Sequence, residues 1–330
     1  MRIGELELKH GLVLAPMAGY TDRAMRVIAR EYGSELSVTE MVSAKAVTFG
    51  DKKTFTLARI RSDEGPVALQ IFGSEPDVMA RAASLLQGGY DGEGFAPPVA
   101  IDINMGCPVH KIFSNGEGSA LMKNPELIYK IVRAVSGECD IPCTVKLRAG
   151  IDEDSLNAVE CALAAESAGA AAVAIHGRTK KQLYGGKADR NVIKKVKQSL
   201  HIPVIANGDI TDGQSALDML SQTGADGIMI GRGAVGNPFI FEQIRSALEG
   251  REFTPPTLEE KKAAAIRQLS LAVEDKGEAV AIVESRKQIA LYFKAFRGSA
   301  AFRARINSAT RLCEVEEAIG LLCDTDAEMD

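Results

Sequence analysis

Cys107 lies in the segment IDINMGCPVHKIFSNGEGSALM, between Gly106 and Pro108. A free thiol has a pKa of about 8.5, so at neutral pH it is mostly protonated and can deliver a proton to a substrate carbon. The alternative is an inert buried cysteine, but Asn-Met-Gly-Cys-Pro is not the composition of a helix or strand interior. Other polar residues stand at the ends of apolar runs: Gln70 in VALQIF, Asn104 in VAIDIN, Lys146 in CTVKLR, His176 in AVAIH, Asn207 in VIANGD and Arg232 after GIMIG. Any one of them alone reads as a loop residue with its bonds satisfied. Six in the same relation to six runs point to one shared site.

The glycines near the end of this series suggest an anion. Gly231, Gly233 and Gly236 form a G-x-G-x-x-G after a strand-like run, which alone would suggest a dinucleotide fold, but no later strand supplies the ribose-binding acid. Backbone N–H groups at Gly208 and at Gly231-Arg232 better suit one phosphate, with Arg232 adding charge-assisted bonds. Gln70 and Lys146 extend the site toward a flavin. An amide can bond the pyrimidine edge of an isoalloxazine, and an ammonium near its N1–C2 carbonyl stabilises the anionic reduced ring. The other reading of Lys146 is a structural ion pair.

These residues need a frame that brings chain ends together. β-branched runs beginning near Val13, Leu36, Val67, Val99, Cys143, Ala172, Val204 and Gly227 are each followed by a helix-length amphipathic segment. Several runs are apolar on both faces, as strands covered by helices must be. The spacing predicts an α/β chain, a (β/α)8 TIM barrel whose active site is built at the strand C-terminal ends, with a C-terminal all-helical domain. The expected division is residues 1–243 for the barrel and 244–330 for the helical domain, with Thr254-Pro255-Pro256 marking a break. Residues 88–98 read as an insertion at the opposite face, residues 104–121 as a mobile loop over the mouth, and the acidic terminal DTDAEMD as frayed.

The chain of 330 residues is 46% hydrophobic and 25% charged, enough apolar material for a large core. Charges in MRIGELELK interrupt any signal-peptide core or membrane span, so a cytoplasmic protein without membrane contact is expected; a monomer is expected as well, though no residue pattern decides it. The six cysteines show no C-x-x-C spacing and are expected to be mostly reduced, buried thiols; no metal is expected. A net charge of −5 disfavours a broadly basic nucleic-acid surface, so any RNA must be met locally.

Several of these segments resemble the tRNA-dihydrouridine synthases, in particular their bacterial B-type branch. The resemblance rests on APMAGYTD from Ala15, MGCP with G-x-G-S-A-L-M, K-x-R-x-G from Lys146, HGRT from His176, NGD from Asn207 and GRGAxGNPF from Gly231. It implies that Pro16, Met17 and Ala18 line an FMN, with Gln70 and Lys146 at its ring and His176 close by. Asn207, Gly208, Asp209, Gly231 and Arg232 would complete the site around ribityl chain and phosphate. Cys107 would be the general acid, Asn104 would orient the target uracil, and Arg178 with Tyr184 would border the RNA path. The implied chemistry has two half-reactions: FMN is reduced by NADPH or NADH, then a hydride passes from flavin N5 to C6 of uracil while Cys107 protonates C5. The base must be extruded from its stack to reach a barrel mouth.

Between Ser285 and Cys313 the chain carries Arg286, Lys287, Lys294, Arg297, Arg303, Arg305 and Arg311 without one acidic residue. Lys287 and Lys294 are seven apart, and Arg286 and Arg297 eleven, so each pair returns to a similar helix face. In an acidic protein this stripe suggests a phosphate-backbone contact, while Tyr292, Phe293, Phe296 and Phe302 read as helical core. Arg178, Lys180, Lys181 and Lys187 would add a basic rim at the barrel. The stripe matches the family pattern R-K-H-x-x-x-Y-x-K-G only in part, with Gln288 in place of His and Ala295 in place of Gly. Two rival functions fit the residues less fully. An FMN barrel acting on a free pyrimidine, dihydroorotate-dehydrogenase-like, leaves the basic helices without a task; a non-catalytic RNA-binding protein with a vestigial flavin pocket leaves Cys107, Lys146 and His176 without one.

Overall fold

The computed structural model describes residues 1–89, 94–294, 296 and 298–323. Eight parallel strands, β1 Leu12–Leu14, β2 Leu36–Val38, β3 Val67–Phe72, β4 Ala100–Met105, β5 Cys143–Arg148, β6 Ala172–His176, β7 Val204–Asn207 and β8 Gly227–Ile230, pair in chain order, and a two-residue strand, Val42–Ser43, adds to the sheet parallel to the end of β3. Closure comes from β8 on β1, with Met229 opposite Val13, and the β2–β3 seam is held through Ser37 opposite Val67. The strands coincide with the runs read from the sequence because β-branched and apolar residues fit a sheet buried on both faces.

Helices α1 Arg23–Glu31, α2 Pro76–Leu86, α3 Pro125–Glu138, α4 Ala158–Ser167, α5 Arg190–Ser199, α6 Gly213–Thr223 and α7 Ile240–Leu248 surround the barrel. Two short helices, Ala44–Thr48 and Lys52–Leu57, take the place of one after β2. Their starts are encoded locally. Asp22 accepts Met25 N–H at the head of α1, proline opens α2 and α3, and Asp212 with Ser215 forms a reciprocal cap on α6. A large apolar shell between strands and helices includes Leu69, Ile101, Val145, Ile193 and Phe241. Inside the barrel, Ile3 and Leu8 from the N-terminal hairpin pack with Val13, Leu36, Ala100, Ala172 and Ile205, so apolar side chains fill the lower end.

Four further helices follow: α8 Leu258–Lys276, α9 Glu278–Tyr292, α10 Ser299–Ser308 and α11 Leu312–Gly320. Thr257 and Glu260 cap α8 reciprocally just after the two prolines. Phe293 anchors their core, packed edge-on against Phe296 and Phe302. The seam with the barrel is apolar at Ala24 and Val27 of α1 against Leu271, Ala272 and Ala281, and ionic at Lys276 with Asp22, 2.6 Å apart.

Three expectations change. The 243/244 junction falls inside α7, which packs on α6, so the chain leaves the barrel later than its loss of strand pattern suggested. Residues 104–121 are not one loose loop: they hold a short helix, His110–Ser114, and a 3-10 turn, Gly118–Lys123. Of the cysteines, Cys143 and Cys161 are buried, Cys107 and Cys139 half-buried, and Cys313, on the outer face of α11, and Cys323 are exposed. The expected insertion at 88–98 lies partly, and the terminal DTDAEMD wholly, outside the described residues. Among the described residues no helix is long and apolar enough to cross a membrane, and no group of three or more His, Cys, Asp and Glu could hold a metal ion.

Candidate active site

Strand register decides which side chains meet. Gln70 of β3 lies opposite Asp102 of β4, and Asp102 opposite Thr144 of β5; two residues further along, Asn104 lies opposite Lys146. Because side chains alternate faces with period two, Asp102 with Asn104, and Thr144 with Lys146 and Arg148, share the inner face. His176 of β6 lies opposite Arg148 on one side and Asn207 of β7 on the other. The polar residues read from strand ends therefore converge on one mouth.

They are joined by a buried hydrogen-bond chain. Thr144 Oγ1 and Gln70 Nε2 donate to the two oxygens of Asp102 at 2.6 and 2.7 Å. Asn104 Nδ2 donates to Gln70 Oε1 at 2.8 Å, and Asn104 Oδ1 accepts the backbone N–H of Cys107 at 2.9 Å and of Gly106 at 3.2 Å. The Cys107 carbonyl accepts Ser119 Oγ at 2.8 Å, which folds the following turn back against it. Gly118 is required there: its φ is +59°, and a Cβ would come within 3.0 Å of Cys107 Cβ. Arg148 Nε donates to Gly106 O at 2.8 Å and fixes the same loop from β5.

Burial pushes the Cys107 thiol above its ordinary range, against the Val109 N–H and the Arg148 and Lys146 cations, so the group keeps its proton at neutral pH. Burial, helped by the Arg148 charge, draws the Lys146 ammonium down to about 8; its Nζ donates to Asn207 Oδ1 at 3.2 Å. His176 is pushed down to about 2, first by burial and then by Lys146, Arg148, Arg178 and Arg232, and is neutral. Four cations thus surround one neutral imidazole in a chain that is acidic overall, which makes the mouth a site for an anion.

At the far rim, Asp209 takes a left-handed conformation, φ +52°, accepts Ala188 N–H at 2.8 Å and pairs with Arg178 at 2.8 Å. Burial opposes its ionisation, but the Arg178 and Ala188 bonds and the Arg178 and Arg232 charges outweigh it and hold the carboxylate below its usual range. Gly208 has φ +126°, and a Cβ would stand 2.6 Å from Ala188 Cβ; a Cβ on Gly231 would meet Met17 Sδ at 3.4 Å. Gly208 is thus packed closely under Ala188 and His176, while Gly231 is half-buried beside Arg232, whose side chain is 56% exposed and lies over the Tyr184 ring at 4.7 Å.

Pro16, Met17 and Ala18 follow β1 in a turn closed by Tyr20 and Thr21 N–H on Met17 O. Tyr184 is 55% exposed at the rim. Arg178, expected along the RNA path, is instead 2% exposed: Nε and Nη2 donate to Gly185 O and Gly186 O at 2.9 and 2.6 Å, so it braces the rim from inside. The basic stripe is less open than its sequence suggested. Arg286 donates to Ala309 O, Arg305 pairs with Glu317 at 2.8 Å and Arg311 with Glu314 at 3.4 Å, acids that α11 brings in from beyond the stripe. Lys287, Lys294 and Arg303 are exposed, and Arg297 lies outside the described residues. Asp102, Thr144 and Arg148 were missed; the signal was their period-two spacing from Asn104 and Lys146.

Residues 13–324 match the dihydrouridine synthase (Dus) family. The chain belongs to the dihydrouridine synthase family. It is 40% identical over 97% of its length to a probable tRNA-dihydrouridine synthase of Treponema pallidum, covering 95% of that protein. It is also 40% identical over 88% of its length to tRNA-dihydrouridine synthase B of Shewanella oneidensis, covering 89% of it. Among solved structures, histamine dehydrogenase from Rhizobium sp. 4-9 aligns with TM-score 0.54 at 15% identity, over 82% of this chain and 50% of that one. Morphinone reductase aligns with TM-score 0.50 at 14% identity, over 79% and 91%. These two share the barrel fold. Membership makes the chain an oxidoreductase, because dihydrouridine differs from uridine by two hydrogens across one carbon–carbon double bond.

Proposed function

We propose that this dihydrouridine synthase reduces the C5–C6 double bond of a uridine in tRNA, with FMN as resident hydride carrier, NADPH as reductant and Cys107 as general acid. The observation that carries the reading is the Cys107 thiol, kept protonated by burial and anchored through its backbone to Asn104, beside a cation-lined mouth.

The residues suit the flavin. Gln70 and Lys146 would meet its ring and the backbone at Gly208 and Gly231 its phosphate, while Pro16, Met17, Ala18, His176, Asn207 and Arg232 would line it; Asp209 would act through Arg178 and the rim rather than on the phosphate itself. Bound there, FMN supplies a hydride for C6 of the uracil. Cys107 gives its proton to C5, and Lys146 offsets negative charge left on the ring system. Asn104 offers an N–H to the base, and Tyr184 borders the entrance.

The division of labour assigns chemistry to the barrel, residues 1–243 with the rest of α7, and RNA contact to the helices within 244–330. Lys287 of α9, Lys294 in the turn after it and Arg303 of α10 are exposed cations that would meet phosphates, with Arg286 and Arg297 beside them in sequence. The reading is tested by colour and mass. Purified protein should be yellow and bleach with NADPH in the absence of oxygen, and tRNA from a strain lacking the gene should be two hydrogens lighter at one uridine. Colourless protein that takes up no FMN, or unaltered tRNA, overturns it.

A further inference from the structure

Asp102 has no role in the chemistry just described, yet it is 3% exposed beneath the mouth. A carboxylate in the interior is costly unless donors satisfy it, and replacing such groups by apolar ones is often neutral or stabilising. What distinguishes this one is what its donors connect to. Thr144 Oγ1 takes one oxygen and Gln70 Nε2 the other, and beyond Gln70 the chain runs through Asn104 to the backbone of Gly106 and Cys107.

The direction of that chain is fixed from both ends. Backbone N–H groups only donate, so Asn104 must turn its oxygen toward Gly106 and Cys107 and its NH2 toward Gln70. Burial pushes the Asp102 carboxyl up, against the Gln70 and Thr144 bonds and the Lys146 charge, but both its oxygens accept, from Gln70 Nε2 and Thr144 Oγ1, so Gln70 turns its NH2 toward Asp102 and its oxygen toward Asn104. Both requirements give the same arrangement. Were the lower end apolar, the Gln70 amide could rotate, and its NH2 would then face the NH2 of Asn104. Restoring a bond would require Asn104 to rotate as well and present its NH2 to the Cys107 N–H. The carboxylate removes that alternative.

We propose that Asp102 is a positioning residue: by accepting from Gln70 it sets the hydrogen-bond direction of the Gln70–Asn104 pair and so holds the Cys107 loop where its thiol can reach the substrate. Two consequences follow. Both lone pairs of Asn104 Oδ1 are occupied by Gly106 and Cys107, so Asn104 meets the base as a donor only and must face a carbonyl oxygen rather than a ring N–H. Gln70 has one N–H of its amide left for a cofactor acceptor.

The inference rests on Cys107 being the acid, so its test separates the two. In native holoprotein labelled with 15N and 13C, couplings across hydrogen bonds should link Gln70 Nε2 to Asp102 Cγ, Asn104 Nδ2 to Gln70 Cδ, and Cys107 N to Asn104 Cγ. The reverse direction, Gln70 oxygen facing Asp102, overturns the proposal. For Asp102→Leu, turnover of tRNA should fall about tenfold or more in kcat, with KM for tRNA and the rate of flavin reduction by NADPH within about threefold, and Cys107 should alkylate at a changed rate. Asp102→Asn should restore near-native turnover, because its Oδ1 can accept from Gln70 while its NH2 donates to Thr144 Oγ1. Equal loss in both half-reactions, or native turnover in the leucine variant, overturns the proposal; the couplings decide it if that variant does not fold. If Cys107 is not the acid, Cys107→Ala keeps turning over tRNA while the couplings stay as described.

Discussion

The Lys287 ammonium lies 4.1 Å from the centre of the Tyr20 ring. This contact places a cation of α9 directly on the turn that follows β1. Gln288 strengthens the join by donating to Tyr20 O at 3.2 Å while accepting from Gln268 at 2.7 Å, and Tyr292 OH donates to the same Gln268 side chain at 2.6 Å. The residue that departs from the family's histidine is therefore a buried link between the helices and the barrel rather than an outward-facing group.

Charge reversal separates the two regions. Lys294→Glu should weaken tRNA binding roughly tenfold and lower the salt slope of log affinity by about one, as expected for one lost phosphate contact, while NADPH oxidation stays native. Lys287→Glu should do the same and also perturb flavin uptake, because it removes the contact on Tyr20. Filter binding across a salt series reads the first effect and flavin titration the second; unchanged affinity in both variants would remove the assignment of the stripe.

Cys107→Ala should leave flavin reduction by NADPH intact and slow reduction of tRNA by at least about a hundredfold, the scale of a general acid. The direction of the pH dependence is set by burial, which raises the thiol pKa. The part of the decline in tRNA reduction that depends on Cys107 should not come as pH rises through the ordinary thiol range near 8.5, but only above it, where the proton is lost, apart from any change that Lys146 brings at lower pH. Single-turnover rates across pH test this.

Lys146 gives a second, lower transition. Its pKa of about 8 is below the ordinary lysine value, so the ammonium is present below that pH and lost above it. Binding of FMN to the apoprotein, favoured by the cation, should weaken as pH rises through about 8, and Lys146→Met should flatten that dependence. Fluorescence titration of FMN at a series of pH values decides it.

Arg178→Ala should destabilise the protein by about 2 kcal/mol, because it removes a buried guanidinium that joins the half-buried Asp209 carboxylate to the carbonyls of the exposed Gly185-Gly186 turn. Arg178→Lys should recover little, since one ammonium cannot reproduce the planar fork. A fall in Tm of several degrees together with loss of FMN retention is expected; a variant with native Tm would show that the rim does not depend on this arginine.

Much of the barrel was legible because its strands are short β-branched runs punctuated by helices, and buried parallel strands need little else to be seen. Gln70, Asn104, Lys146, His176 and Asn207 were legible because each closes such a run. Asp102 was not: it stands inside an apolar run, and whether an inward carboxylate is a liability or a tool depends on which strand residues lie opposite, a matter of register that no single segment contains. Arg178 was misplaced for a similar reason. Its neighbours in sequence are basic and exposed, but the turn at Gly185-Gly186 folds over it and presents carbonyls instead of solvent. The α7 boundary was missed because helix follows helix there, and the pattern does not say which of two layers a helix joins.

The N-terminal hairpin, with Ile3 and Leu8 seated among the lower barrel side chains, also constrains the kinetics. A barrel stoppered at its floor has one doorway. On the proposed reading, the nicotinamide that would charge the flavin and the nucleotide that would discharge it must use that doorway in turn, so initial-rate plots against the two should give parallel lines, and excess of either should inhibit by occupying the other's place.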